Sequence, residues 1–486
     1  MHELKRRLLR DPLAVSRELA RTEDGQATRT RIRDLGLELN VLVDERNVLT
    51  VANKRRSRAI GAARKRGDDC SELLAGMRGD SAKIKRIAGS ISRVVDELTG
   101  LAGAEAASPS MASADGMPRG AISQVITQGA PSRFEPQIGP DGPGVTASRI
   151  CDRVDDAAWD AYVDSHPHSS AYHSSSWRAL IKRNFGHDGH YLNARDDSGR
   201  IVGVLPLVHL KSRLFGSFLV SMPYLNYGGP IADSEAISRQ LMDHCGNIAD
   251  ELGCSHAEIR ECRPRRNWTA RTHKVAMIRA LPETAEELDR QLGSRVRAQV
   301  KRSLDASPAI TFGGEELLRA FYSVFSRNMR DLGTPVYGID FFRDMLFTFP
   351  HAFLAVVTID SRPVAAAFLL GHRDTLEIPW ASSLRSVNPL GANMFMYRSI
   401  LAEAQDRGYR YFDFGRSTKD GATFRFKKQW GAKPRQLHWH YWTADGAETP
   451  KLDPDNPKYR FAIKCWQHLP VRLSVLLGPG IVRNLP

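Results

Sequence analysis

The sequence predicts an α/β protein in which an N-terminal antiparallel helical hairpin, a coiled coil, precedes two similar domains with mixed sheets. Three observations carry that expectation. Apolar residues near the N-terminus recur at alternating steps of three and four; a stretch with no sustained period follows; and the remainder gives the order strand, turn, strand, helix, strand twice over.

The hairpin comes first. From Arg31 to Ala63 the positions Ile32, Leu35, Leu39, Leu42, Leu49, Ile60 and Ala63 lie on one stripe, interrupted by Arg46, Asn53 and Arg56. After the turn "RKRGDD", the residues Met77, Ile84, Ile87, Ile91, Val94, Leu98 and Leu101 repeat the spacing more cleanly, so two helices of similar length can lie antiparallel with their stripes facing. Residues 1–101 are assigned to this hairpin, which can also pair between chains to give a homo-oligomer. It is the most densely basic part, with 22 Lys and Arg against 15 Asp and Glu, and eight of the basic residues fall in "ERNVLTVANKRRSRAIGAARKRGDD". A hairpin selected only to pair would not interrupt its own seam with cations. Arg46, Lys54, Arg55, Arg56, Arg58, Arg64, Lys65 and Arg66 are therefore candidate nucleic-acid-binding residues, suited to tracking the phosphates of an RNA helix.

Residues 102–149 contain 28 Ala, Gly, Ser or Pro out of 48 and read as a flexible linker, spanning on the order of 40 Å as a coil. The first domain is assigned to 150–280. "GHYLNARDDSGRIVGVLPLV" gives two apolar strands around an Asp-Ser-Gly turn, "EAISRQLMDHCGNIADELG" a helix, and "HAEIREC" a strand. The second, 281–445, repeats the order in "AFLAVVTIDSRPVAAAFLLG", "NMFMYRSILAEAQDRG" and "YRYFDFG". Residues 446–486 form a C-terminal tail.

A formal charge of +14 and a pI near 9.6 call for an anionic partner. Six cysteines without a CxxC pair indicate neither a zinc site nor a disulfide framework, which fits a reducing compartment. The N-terminal "MHELKRRLLRDP" reaches charge and proline too early for a signal peptide, and no apolar run approaches the roughly 18 residues of a spanning helix. The expected location is cytoplasmic, with peripheral contact to the membrane face.

The closing strand leads into "DFGRSTKDGATFRFKKQWGAKPRQLHWHYW", where Arg416, Lys419, Arg425, Lys427 and Lys428 crowd a glycine-punctuated turn beside aromatic residues. Cations next to backbone N–H groups at a strand end suit a phosphate or a developing oxyanion; the plainer alternative is a solvated basic hairpin. The helix "SRVRAQVKRSL" brings Arg297 and Lys301 to one face at i and i+4, where phosphate contact is again the functional alternative to solvation. His438 and His440 share one strand face but have no third ligand nearby, so no metal is expected. No G-x-S-x-G elbow, Walker loop or strand-linked G-x-G-x-x-G occurs, which leaves serine hydrolysis, NTP hydrolysis and dinucleotide redox chemistry without a motif.

From Arg149 onward the stretches "FGHDGHYLNA", "VGVLPLVHLKSRLFGSFLVSMPYLNYGGP", "RNMRDLGTPVYG", "LEIPWASSLRSVNPL", "FDFGRSTKDGATFRFKKQWGAKP" and "GPGIVRNLP" resemble the FemAB-type acyltransferases, most closely the branch associated with exosortase and exopolysaccharide loci. The resemblance implies two tandem GNAT-like domains and transfer of an aminoacyl group from an aminoacyl-tRNA to an amine. It also implies a reacting-centre lysine, matched by Lys427 in "FKKQWG", and makes Arg416, Ser417, Lys428, Trp380 and Arg385 candidates for substrate binding. Coenzyme A-dependent GNAT domains cradle a pyrophosphate with Q/R-x-x-G-x-G/A; "NPLGAN" keeps only Gly391 in register. The N-terminal "LLRDPLAVSRELAR", "ERN" and "RAIGAARKRGDD" are similar to the tRNA-binding arm of bacterial seryl-tRNA synthetase, with about one extra heptad between "ERN" and "AIG". That likeness implies a tRNA partner with a long variable arm. The expectation is a tRNA-dependent aminoacyltransferase, with serine one candidate, acting on an amine of a cell-envelope precursor or small molecule and needing no metal or tightly bound cofactor. The alternatives are an acyl-CoA-dependent N-acyltransferase and a non-catalytic tRNA-binding scaffold.

Overall fold

Helix α1 (Ser71–Gly103) is the first continuous described element, and its seam is the one read from the heptad spacing: Ile87, Ile91, Val94 and Leu98 are buried. The computed structural model describes residues 71–103, 149–151, 155–212, 216–265, 268–444 and 457–485, with isolated positions between Leu8 and Ile60. It divides into two units, Met1–Gly116 and Met117–Pro486. Within the first unit, Ile32, Leu35 and Leu39 pack with Ile87, Ile91 and Val94, while Ile60 packs with Leu74 and Met77. Arg31 donates to Glu97 at 2.6 and 2.9 Å. Most of the predicted first arm, the linker interior, and Arg46, Lys54, Arg55, Arg56, Arg58, Arg64, Lys65 and Arg66 lie outside the described residues.

The second unit is a mixed α/β body on two mixed sheets. β1 (Arg149–Cys151), α2 (Asp156–Ser165) and α3 (Ser176–Phe185) precede β2 (Asp188–Arg195). The Asp196–Gly199 turn then leads to β3 (Ile201–Ser212), with Asp196 Oδ1 accepting from the Ser198 and Arg200 amides at 3.1 and 3.0 Å. β3 is buried over ten successive residues because apolar clusters cover both of its faces. β4 (Gly216–Val220) pairs antiparallel with β3, as does the short β5 (Ile231–Ala232). The Ser234 hydroxyl caps α4 (Glu235–Glu251), which returns the chain to β6 (His256–Glu261), parallel to β4. β7 (Thr269–Arg271) follows.

The chain then crosses over. β8 (Lys274–Ala280) belongs to the second sheet, where α5 (Ala285–Gln291), α6 (Ser294–Ser303), β9 (Ala309–Gly313), α7 (Leu318–Leu332) and α8 (Ile339–Thr348) precede three antiparallel strands, β10 (Ala352–Ile359), β11 (Arg362–His372) and β12 (Thr375–Ser383). Asp360 and Ser361, at φ of 49° and 60°, make the tight turn between β10 and β11. Helix α9 (Ala392–Asp406) leads to β13 (Tyr411–Thr418), parallel to β12; α10 (Ala422–Gln429) and β14 (Lys433–Gln436) follow. β15 (His438–Thr443) then rejoins the first sheet, antiparallel to β6. The orders are β1-β2-β3-β4-β6-β15-β7, with β5 on β3, and β14-β8-β13-β12-β11-β10-β9. Each half thus repeats three antiparallel strands, a helix and a parallel strand, and each lends one strand to the other sheet. Helices α11 (Pro457–Gln467) and α12 (Val471–Val482) close the described chain.

Candidate active site

In the second sheet the parallel pairing of β12 with β13 lasts only three rungs, from Thr375 opposite Tyr411 to Glu377 opposite Asp413. Beyond that rung β12 stays with β11, β13 stays with β8, and the two strands part. The register of β13 on β8 also shifts between Asp413 and Arg416, a bulge centred on Gly415 at φ +73°. A side chain at Gly415 would meet Asn226 Nδ2 at 3.1 Å, so both its conformation and its neighbour require glycine.

The last rung carries two buried carboxylates, Glu377 and Asp413, and their partners come from the other half. Asn226 Nδ2 donates to Glu377 Oε1 at 2.6 Å, and the Tyr227 hydroxyl donates to Asp413 Oδ2 at 2.8 Å. Asp413 Oδ1 accepts from the Gly415 amide at 2.8 Å and so braces the bulge. Asn226 and Tyr227 sit on the loop after β4, whose Met222 and Tyr224 hold positive φ of 54° and 72°. Non-glycine residues in that region are strained. Tyr224 is pinned there by stacking on Phe185, centroids 4.2 Å apart, and by donating to the Arg483 carbonyl at 2.8 Å.

The bulge turns the Gly415 and Arg416 carbonyls toward α10, and Lys427 Nζ donates to them at 3.2 and 2.9 Å. Burial lowers the Lys427 ammonium to about 8, against the opposing pull of Asp413 and Glu377 and with the help of Arg416. Lys428, one residue on, is exposed. The stretch "ATFRFKKQ" is a two-turn helix rather than the basic hairpin weighed from sequence: Phe424 and Trp430 are both buried, and Lys427 lies between them on the inward side.

Arg416 projects toward the first sheet. Its guanidinium lies 5.3 Å from the centroid of Trp439 on β15, and Arg260 of β6 lies 4.8 Å from the same ring. Arg260 Nε donates to Glu258 Oε1 at 2.6 Å, and Tyr441 donates to Glu258 Oε2 at 2.5 Å. Burial raises the Glu258 carboxyl, but Arg260 and the Tyr441 hydroxyl more than offset it and hold the group below its usual range. Glu258 pairs directly with Arg260 and feels Arg416 only as a more distant charge. Arg416 Nη1 is buried with no hydrogen-bond partner, and burial together with Arg260 pulls Arg416 down to about 10. The Ser417 hydroxyl is buried and likewise unpartnered.

The remaining sequence candidates separate into two groups. Trp380 on β12 is half-buried and meets Tyr337 edge-on at 5.8 Å, in the cluster that also takes in the half-buried Trp439. Arg385 is exposed and donates to the Asp331 carbonyl at 2.6 Å. Arg297 and Lys301 are exposed on α6, opposite the buried Val296. Gly391 starts α9 at φ +71° and is covered by α6: a side chain there would meet Ser303 at 3.2 Å. Sequence reasoning missed Glu377, Asp413, Asn226, Tyr227, Glu258, Arg260 and Trp439. The available signal was an acid inside an apolar strand, as in "YFDFG", "TLEIPW" and "HAEIRE".

Residues 291–428, which include Lys427, match the family model described as an acetyltransferase (GNAT) domain. No curated protein sequence matches the chain. Among solved structures, the chain is similar to FemX, with a TM-score of 0.46 and 14% identity over 60% of this chain and 96% of that one. It is also similar to the structure of L-PGS from Bacillus licheniformis, with a TM-score of 0.41 and 11% identity over 68% of this chain and 97% of that one. A tandem GNAT protein from the clavulanic acid biosynthesis pathway aligns with a TM-score of 0.39 and 12% identity, over 63% of this chain and all of the other.

Proposed function

We propose that the chain transfers an aminoacyl group from the ester of an aminoacyl-tRNA to an amine carried by an envelope precursor or small molecule. The observation that carries this reading is the Lys427 ammonium, fixed by two carbonyls at a strand bulge and left with one N–H to donate. In such a reaction the free amine attacks the ester carbonyl, and the resulting oxyanion takes a hydrogen bond from Lys427. Collapse then forms the amide and expels the ribose hydroxyl, which gains the proton the amine loses. The ester is already activated, so a positioned cation is the principal aid the chemistry needs. The family-model match over residues 291–428 supports acyl-group transfer in general. The choice of tRNA rests on the cation-rich segment at residues 45–69 and its likeness to a tRNA-binding arm, with Arg297 and Lys301 as a second exposed cationic face.

One observation favours acyl-CoA as the donor instead: the matched family model is described as an acetyltransferase (GNAT) domain. Mass spectrometry of RNA and small molecules that co-purify with the protein separates the two donors. Lys427→Ala is expected to lower transfer of labelled serine from seryl-tRNA to amine-bearing precursors about a hundredfold, with Lys428→Ala near wild type. Equal, small effects from both would remove Lys427 from the chemistry. Deleting residues 1–101 is expected to abolish discrimination between tRNA for serine and a short-armed tRNA in filter binding, and to flatten the salt dependence. Unchanged discrimination would show that the arm does not read tRNA.

A further inference from the structure

Seven large apolar side chains are prominently exposed among the described residues, and four of them lie on one helix: on α12, Leu473 is 44% exposed, Leu476 74%, Leu477 49% and Ile481 41%. Their spacing of three, four and eight residues from Leu473 places them on a single face. The opposite face is firmly seated. Ser474, Gly478 and Val482 are buried, and a side chain at Gly478 would meet the backbone N and O of Val336 at 2.8 and 2.9 Å. At the helix end the Arg483 carbonyl accepts from Tyr224 at 2.8 Å and stands 2.6 Å from His187 Nε2. The leucine face is therefore displayed by a helix fixed to the body. Arg472 and Arg483 are exposed at its two ends, and Lys464 is exposed on α11. Residues 457–486 contain five Lys or Arg and no Asp or Glu.

We propose that α12 lies in the interface of an anionic membrane, its leucine face inserted among the acyl chains and its flanking arginines against the lipid phosphates. An apolar stripe on a segment whose own charges are all cations matches such a surface in both hydrophobicity and charge. At twelve residues the helix lies on a bilayer and does not cross it, and no described helix is long and apolar enough to cross. The seat of α12 also ties the surface to the site: Val336, beneath Gly478, precedes Tyr337, which packs on Trp380. Docking would thus brace the loop that carries Tyr337.

The test is co-sedimentation of the full chain with phosphatidylglycerol–phosphatidylcholine vesicles and with pure phosphatidylcholine vesicles, at two salt concentrations. The reading requires no transfer assay, so it stands or falls apart from the proposed reaction. Wild type is expected to bind the anionic vesicles more tightly and to lose binding with salt. The double variant Leu476→Glu, Leu477→Glu should bind about tenfold or more weakly while keeping its melting temperature, because both side chains are exposed in the free protein. Arg472→Glu should weaken binding to anionic vesicles only. Failure of wild type to bind, or undiminished binding by the double variant, would overturn the proposal; the latter would point to another basic surface. Sedimentation velocity adds one further overturning result: a wild-type dimer that the double variant dissolves, without vesicle binding, would give the face to a second copy of the chain.

Discussion

In the proposed reaction the protonation of Lys427 sets the rate. With the ammonium lowered by burial to about 8, a donor to the oxyanion is lost as pH rises through that value, while the acceptor amine becomes a better nucleophile as pH rises. The rate profile should therefore be bell-shaped with a falling limb near pH 8. Lys427→Arg, whose charge persists, should move that limb out of the accessible range even if its peak rate is lower. The same shift has a stability consequence of fixed sign. The folded-state value lies below the unfolded one, so the fold sheds the proton first. The charged lysine opposes folding below about pH 8, and that opposition fades as pH rises toward the ordinary lysine value. Urea unfolding of wild type and Lys427→Met should show wild type gaining relative stability between about pH 8 and 10.5. A gap independent of pH would mean that the ammonium is well solvated.

The bulged strand β13 and the strained loop after β4 form one device, since the loop supplies the partners for the carboxylates beside the bulge. Asp413→Ala would remove the acceptor of the Tyr227 hydroxyl and of the Gly415 amide and should cost about 2–3 kcal/mol in chemical denaturation. Gly415→Ala should cost about 1–2 kcal/mol through its positive φ and the crowding of Asn226, and should lower transfer because the carbonyl seat of Lys427 moves. These elements were only partly legible in the sequence. The hairpins β2–β3 and β10–β11, the helices α4 and α9 and the strands β6 and β13 follow from periodicity and turn residues, because local spacing encodes them. The third strand of each half, β4 and β12, was not read as a strand, and neither was the role of Asn226 and Tyr227, whose partners lie 151 and 186 residues away. No local period records a contact made across two halves of a chain. Lys427 was reached by likeness of "FKKQWG" to a known motif, while the shift in its acidity depends on burial that the sequence does not display.

The body from β1 to β15 should unfold as one. All eight tryptophans lie at position 159 or beyond, so intrinsic fluorescence reports on this unit alone, and urea should produce a single transition. Two resolved transitions would show that the sheets are energetically independent despite sharing strands. The exchange of β8 and β15 has one more consequence. A nick in the connection after Ala280 would leave one fragment holding a strand that belongs inside the second sheet and the other holding a strand that belongs inside the first. Neither fragment could complete its own sheet, yet each carries the template the other lacks. The two pieces should behave as a split protein, inert when produced separately and reconstituted when mixed, so the strand exchange makes the assembly of the site a yes-or-no event.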